Sequence, residues 1–233
     1  MKGLSIIFLV GLVLALGAVG GLAQGDELCL NAAFGVAAVA TLAETYVDGL
    51  MNAMYTLAAT AELRTGDWET MRALIEKFEQ SSPVSCSGWF LRPDGTYYKV
   101  ITGLVNANLS DRAYFGRVMT GETTIGDLVV SRSTGRKSMV LTTPIERVGV
   151  VIGALGVTLY LDDFSQLLVD KLKLPRGIAF YATNEEGLIA VHADPSLLLE
   201  QQSLCTITAA QGGVQISEVI GWTFVLGTSV TDH

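Results

Sequence analysis

The longest regular pattern in the chain runs through residues 27–64. Val36, Val39, Ala43, Val47, Leu50, Met54, Leu57 and Ala61 recur at steps of three and four, which places them on one face of a helix. Glu44, Asp48, Asn52, Thr56 and Glu62 populate another side. The spacing predicts one long helix with a core-packing stripe. A helix of this length also offers a seam for a homodimer, although an alanine-rich stripe is too mixed to specify a coiled coil. Gly66 and Asp67 stop this helix and begin the next. Asp67 suits an N-cap, and Met71, Leu74, Ile75 and Phe78 make the apolar stripe of a helix over 68–80.

After "SSPVS" the period changes. "CSGWFL" and "TYYKVI" flank "RPDG", where Pro93, Asp94 and Gly95 are turn formers, so a hairpin is expected. "SDRAYFGRVMTG" (110–121) predicts a short helix, capped by Ser110 and ended by Gly121. Three strand-like runs follow over 126–132, 138–147 and 149–161, with turns at 133–136 and around 148–149. Residues 161–174 are amphipathic and helical, and Pro175 closes them. Residues 177–194 read as strand, turn and strand, and 213–230 as another strand pair broken near Gly221. Consecutive strands with tight turns imply an antiparallel sheet, and helices on one side make the class α+β. The first lobe is expected to run strand, strand, short helix, then three strands, followed by a smaller α+β lobe.

Composition narrows the function. With 233 residues, half of them hydrophobic, the chain can bury one large core or two small ones. A formal net charge of −8 and the lack of a basic run argue against nucleic acid as a partner. Lys2 precedes the apolar run "LSIIFLVGLVLALGAVGGLA", which ends in small residues. It is either an export signal cut after Ala23 or an uncleaved anchor, and both place residues 25–233 outside the cytoplasm. No second run of that length follows, so a cytoplasmic output domain is not expected on this chain. The expected division is a signal or anchor over 1–24, a helical region over 25–82, a first lobe over 83–165, and a linker helix with the smaller lobe over 166–233.

Three cysteines, Cys29, Cys86 and Cys205, leave one over from any disulfide framework. Cys86 with Cys205 is a candidate bridge that spacing cannot establish. Asp26, Glu27 and Leu28 before Cys29 are not the small residues of a lipidation signal. The cysteine spacings match no metal site, and no phosphate loop, zinc-protease motif or nucleophile elbow is present. Of the two histidines, His233 is terminal and His192 sits at a strand end. No catalytic residue, metal or cofactor is therefore expected.

The blocks "WFLRPDGTYY" (89–98), "SDRAYFGRVMTGETTIGDLVVSRSTGRKSMVLTTPI" (110–145) and "VIGALGVTLYLDDF" (151–164) resemble the extracellular Cache sensor domains of prokaryotic chemoreceptors and histidine kinases. "ATNEEGLIAVHADPSLL" (182–198) and "IGWTFVLG" (220–227) are similar to the reduced membrane-proximal module of double-Cache proteins. The resemblance spans roughly residues 28–230. It implies a PAS-like sheet, a small organic ligand held in a hollow of the first lobe (86–160), and a membrane-bound receptor or histidine kinase as signalling partner. The alternatives are a ligand-free interaction module at the cell surface and a transport-type solute-binding protein.

Within the capped helix, Arg112, Phe115 and Met119 are expected on one side, with Asp111 and Tyr114 beside them. The resemblance implies that Arg112 meets a ligand carboxylate, for which a guanidinium offers a two-pronged fork. Tyr114 and Phe115 could wall an apolar part of the ligand or stack on a cation. In the competing reading Asp111 pairs with Arg112 or Arg117 and the aromatics simply fill the core. Strand alternation adds Ser131, facing with Ser133 and opposite Arg132, and Thr142, facing with Val140. Tyr97 and Tyr98 point to opposite faces, so at most one looks inward, and Trp89 is expected in the core. Amino-acid-binding members of the resembled family carry an aspartate on the last strand of the lobe; here Thr158 stands at that position. An α-ammonium group would then lack its charged partner, which disfavours an ordinary amino acid and favours a small carboxylate or neutral polar molecule.

Overall fold

The computed structural model describes residues 24–174, 178–202 and 213–228. The apolar leader, the Cys29 side chain, Pro175 and Cys205 lie outside the described residues. Helix α1 (Gln24–Ala58) buries Val36, Val39, Ala43, Val47, Leu50 and Met54. It stops before the stripe does: Leu57 is half-buried and Ala61 is exposed. Thr60 ends it, donating to the Leu57 carbonyl at 2.7 Å and accepting from the Leu63 N–H at 3.3 Å. Within α1, Ala32–Ala58 is long and apolar enough by composition to cross a membrane, yet its buried stripe packs on the sheets described below. Helix α2 (Trp68–Ser81) begins as expected, with the Asp67 carboxylate accepting from the Thr70 N–H at 3.1 Å. Trp68, Met71, Ile75 and Phe78 face inward from it.

The first sheet is wholly antiparallel. Its strands are β1 (Cys86–Leu91), β2 (Thr96–Lys99), β3 (Gly103–Asn108), β4 (Thr124–Val130), β5 (Lys137–Arg147) and β6 (Val150–Tyr160), in the order β3-β2-β1-β6-β5-β4. Strand β3 is absent from the sequence reading. It is an edge strand whose positions are only half-buried or exposed, so it carries little apolar signal. Between the two sheet edges the chain crosses one face as helix α3 (Ala113–Met119). Helix α4 (Leu161–Leu172) follows and closes on Lys173, whose backbone is left-handed. The second sheet takes β7 (Ile178–Thr183), β8 (Ile189–His192), β9 (Gly213–Ile216) and β10 (Thr223–Thr228) in the order β8-β7-β10-β9.

Alternation along the first sheet builds two cores. On one face Phe90, Met139, Leu141, Leu155, Val157 and Leu159 join α1, α2, α4 and the second sheet's Phe180, Trp222 and Phe224 in a single continuous cluster. On the other face Trp89, Leu91, Tyr97, Leu109, Tyr114, Val118, Val140 and Ala154 form a smaller cluster beneath α3. Cys86 is a free thiol at the start of β1, and burial pushes its pKa up.

Candidate ligand-binding site

The smaller core is built around Trp89. In the β1–β6 register Trp89 lies opposite Gly156, and a Cβ on Gly156 would run into the indole ring. The ring therefore lies across the strand, and its Nε1 donates to Thr158 Oγ1 at 2.9 Å. Tyr97 meets it edge-on, with centroids 6.1 Å apart, and Tyr114 sits 6.0 Å away at a tilt. These aromatic side chains, with Leu109, Val129 and Val140, wall a hollow of about 30 Å³. That is room for about one water molecule.

The polar rim of the hollow is cationic. Arg112, Arg132 and Lys99 line it together with Ser131, Ser133 and Thr158, and among the described residues no aspartate or glutamate does. Arg112 is the N-cap of α3, with extended backbone, rather than a helix-interior residue. The reason lies just before it. Asn108 Oδ1 accepts the Ser110 N–H at 2.8 Å, and the Leu109 carbonyl accepts the Arg112 N–H at 3.0 Å. These turns occupy the chain before helical bonding begins, so Ser110 does not cap α3. Arg112 is consequently aimed across the hollow at the end of β4, where Nη2 donates to the Val130 carbonyl at 3.1 Å. Its Nε is buried and has no hydrogen-bond partner among the described residues.

Asp111 pairs with neither Arg112 nor Arg117. It accepts from Arg132 Nη2 at 2.6 Å, and Arg132 also donates to the Asn108 carbonyl. Arg117 instead pairs with Asp127 at 2.7 Å and Glu122 at 3.7 Å. Lys99 is 8% exposed and donates to Ser133 Oγ at 3.1 Å. Burial pushes its ammonium pKa down, and the charge of Glu79 opposes this. Burial likewise pushes the Tyr97 and Tyr114 hydroxyls up, so both remain protonated donors at neutral pH.

Of the residues singled out from sequence, Arg112, Tyr114, Tyr97, Ser131 and Thr158 come together on this hollow. The other three do not line it. Asp111 is exposed beside Arg132, and Phe115 is half-buried against the small core. Thr142 is fully enclosed and shares a 2.7 Å hydrogen bond with Thr124. Of the tyrosine pair, Tyr97 faces the hollow, while Tyr98 stacks on Trp68 at 5.3 Å on the opposite face. Lys99, Arg132 and Ser133 were missed as site residues. Lys99 was legible, since it stands two residues beyond Tyr97 on the same strand. Arg132 was not, because β4 ends at Val130 and a turn follows, with the Gly135 N–H on the Ser131 carbonyl at 2.8 Å. Strand alternation does not apply there. In the second lobe, His192 Nδ1 accepts from the Asp194 N–H at 2.8 Å, a turn contact.

No protein-family model matches the sequence, and comparison with curated proteins finds no relative. Solved structures do match in fold. The ligand-binding domain of the Pseudomonas fluorescens chemoreceptor CtaA, in complex with L-serine, superposes with a TM-score of 0.70 at 14% identity, covering 88% of this chain and 98% of that one. The ligand-binding domain of the Pseudomonas aeruginosa amino acid chemoreceptor PctB, in complex with L-Arg, gives 0.69 at 17% identity over 88% and 96%. The sensor domain of the V. cholerae histidine kinase DctB gives 0.65 at 11% identity over 90% and 100%. The chain has the Cache-type fold of these domains. In this Cache-type fold the hollow lies between the β1–β6–β5 face of the first sheet and the segment that leads into α3.

Proposed function

We propose that the chain is an extracytoplasmic Cache-type sensor that binds a small organic carboxylate in the first lobe, residues 86–160, and relays its binding to a membrane-bound receptor or kinase. The observation that carries this reading is Arg112. Among the described residues, a guanidinium with a buried, unpartnered Nε faces a hollow that no acidic side chain lines. A carboxylate supplies both the missing acceptor and the missing charge. The similar chemoreceptor domains are described as complexes with amino acids, and the residues here argue for a different ligand. Thr158 replaces the expected aspartate, and its oxygen already accepts from Trp89. An α-ammonium group buried there without a partner would cost about 1–3 kcal/mol or more, so the carboxylate lacks an α-amino group.

The hollow in this conformation is smaller than any such ligand, so binding must displace something. Arg112 is the displaceable element: a ligand oxygen replaces the Val130 carbonyl as its acceptor, and the start of α3 moves with it. A ligand that binds the opened arrangement better shifts the population toward it, and this shift is the signal. The test is a thermal-shift and calorimetric screen of small carboxylates on residues 25–233. At a ligand concentration one hundred times Kd the stabilisation should reach about 2.7 kcal/mol, and Arg112→Ala should remove it. Stabilisation by no carboxylate would overturn the reading in favour of a ligand-free interaction module, and binding indifferent to Arg112→Ala would overturn the assignment of the site to Arg112.

A further inference from the structure

We infer that Lys99 forms a second anion subsite in the same hollow, so that the ligand is a dianion, a small dicarboxylate. The inference rests on the carboxylate reading above and goes beyond it by naming the charge and the second contact. Three cations line the hollow. Arg132 is neutralised by Asp111 at 2.6 Å. The other two are not: no carboxylate lies within ion-pair distance of Arg112 or Lys99 among the described residues. A lysine is almost never buried without a charged partner, because desolvating an unpaired ammonium is costly. Lys99 is 8% exposed and among the described residues is held by a single neutral hydroxyl, that of Ser133.

Glu79 is the acid whose charge Lys99 feels, but its carboxylate is engaged elsewhere. It accepts the Gly88 N–H at 2.7 Å and the Ser87 hydroxyl at 3.3 Å. Two uncompensated cations on one hollow are balanced by two negative charges on one guest. Space for such a guest comes from the same residues. Lys99 and Ser133 also line an open cleft of about 380 Å³ beside Glu79, Cys86 and Tyr160, so their hydrogen bond is the partition between hollow and cleft. A ligand whose first carboxylate sits on Arg112 places its second where that bond is broken, and takes Ser133's place as the acceptor of the Lys99 ammonium.

The experiment is calorimetric titration of residues 25–233 with succinate, its monomethyl ester and butyrate, at matched ionic strength. The two succinate compounds share a backbone and differ in one charge. The expected result is that succinate binds at least tenfold more tightly than either monoanion, and that Lys99→Met brings the three affinities together. Lys77→Met, on the exposed side of α2, should leave the tenfold preference intact. Should Lys99→Met fail to fold, Lys99→Gln keeps the polar contact to Ser133 and removes the charge. Equal affinities for succinate and its ester in the unmodified protein overturn the second subsite while leaving the Arg112 carboxylate site standing. A preference that survives both Lys99 variants overturns it as well. Binding of neither monoanions nor dianions overturns both readings.

Discussion

Trp89 is positioned by what its cross-strand neighbour lacks. Gly156 has no side chain, so the indole lies over the strand and brings Nε1 to Thr158. Gly156→Ala is expected to destabilise the protein by about 1–3 kcal/mol through overpacking, and to shift the tryptophan emission as the ring is lifted from Thr158. Chemical denaturation and fluorescence on the same samples would check both. Glu79 makes a second residue-scale case. Burial raises its carboxyl pKa against the opposing bonds from Gly88 and Ser87. A raised carboxyl contributes stability that is fully present below its unfolded pKa, near 4.5, and is lost as pH rises through the folded value. Glu79→Gln keeps an acceptor for the Gly88 N–H and removes the titration. Its stability should therefore fall less than that of the unmodified protein as pH rises from 4 toward neutrality, as urea midpoints across that range would show.

Between residues and the whole, the elements meet where side chains are smallest. Helix α1 crosses β9 at Gly213, where a Cβ would lie 2.6 Å from the Ala32 carbonyl and 2.7 Å from Val36. Gly213→Val is expected to push the helix off the second sheet at a cost of about 1–3 kcal/mol, read as a lowered Tm. The start of α3 offers a sharper comparison. Ser110 looks like its cap in sequence but is not, and Asn108 holds the turn with both ends of its side chain. Its Nδ2 donates to the Asp94 carbonyl at 2.9 Å, and its Oδ1 accepts from Ser110. Ser110→Ala should change stability by no more than about 0.5 kcal/mol, whereas Asn108→Ala should cost about 1 kcal/mol and weaken carboxylate binding by releasing Arg112. Denaturation curves and titrations of the two variants separate the alternatives.

At the level of the whole molecule, strand β4 is the physical connection between the hollow and the second sheet. At one end its Val130 carbonyl holds Arg112. At the other, a bulge at Gly126, with φ +92°, lies against Ile220 and Trp222. A Cβ at Gly126 would come within 3.0 Å of the Ile220 carbonyl. Lys137 at the start of β5 adds a clasp, donating to the carbonyls of Ser196, at 3.1 Å, and Leu198. A ligand that draws Arg112 away from Val130 loosens one end of this connection. Ligand-dependent changes in amide exchange are therefore expected over residues 220–226 as well as 109–131. Lys137→Met should reduce the change in the second sheet while leaving affinity for the ligand close to normal. Unchanged exchange at 220–226 in the unmodified protein would show that β4 does not carry the coupling.

What the sequence determined by itself were the elements whose evidence is local. The stripe of α1, the Asp67 cap of α2, the β1–β2 hairpin and the strands β4 to β6 each follow from period and turn chemistry within a short window. Local pattern also brought Tyr97, Ser131 and the segment carrying Arg112 and Tyr114 forward, whereas the ligand role of Arg112 and the place of Thr158 came from the family resemblance. Tertiary structure alone decided where Arg112 points, because Asn108 and the β1–β2 turn reset the start of α3. It alone recruited edge strand β3, whose pairing with β2 stands in for a hydrophobic signal. It alone set Lys99 and Arg132 on one rim, since strand β2 and the β4–β5 turn meet only after the sheet has closed between them. Hydrophobic period is written along the chain, whereas the balance of charge around a cavity is a sum over segments that folding brings together.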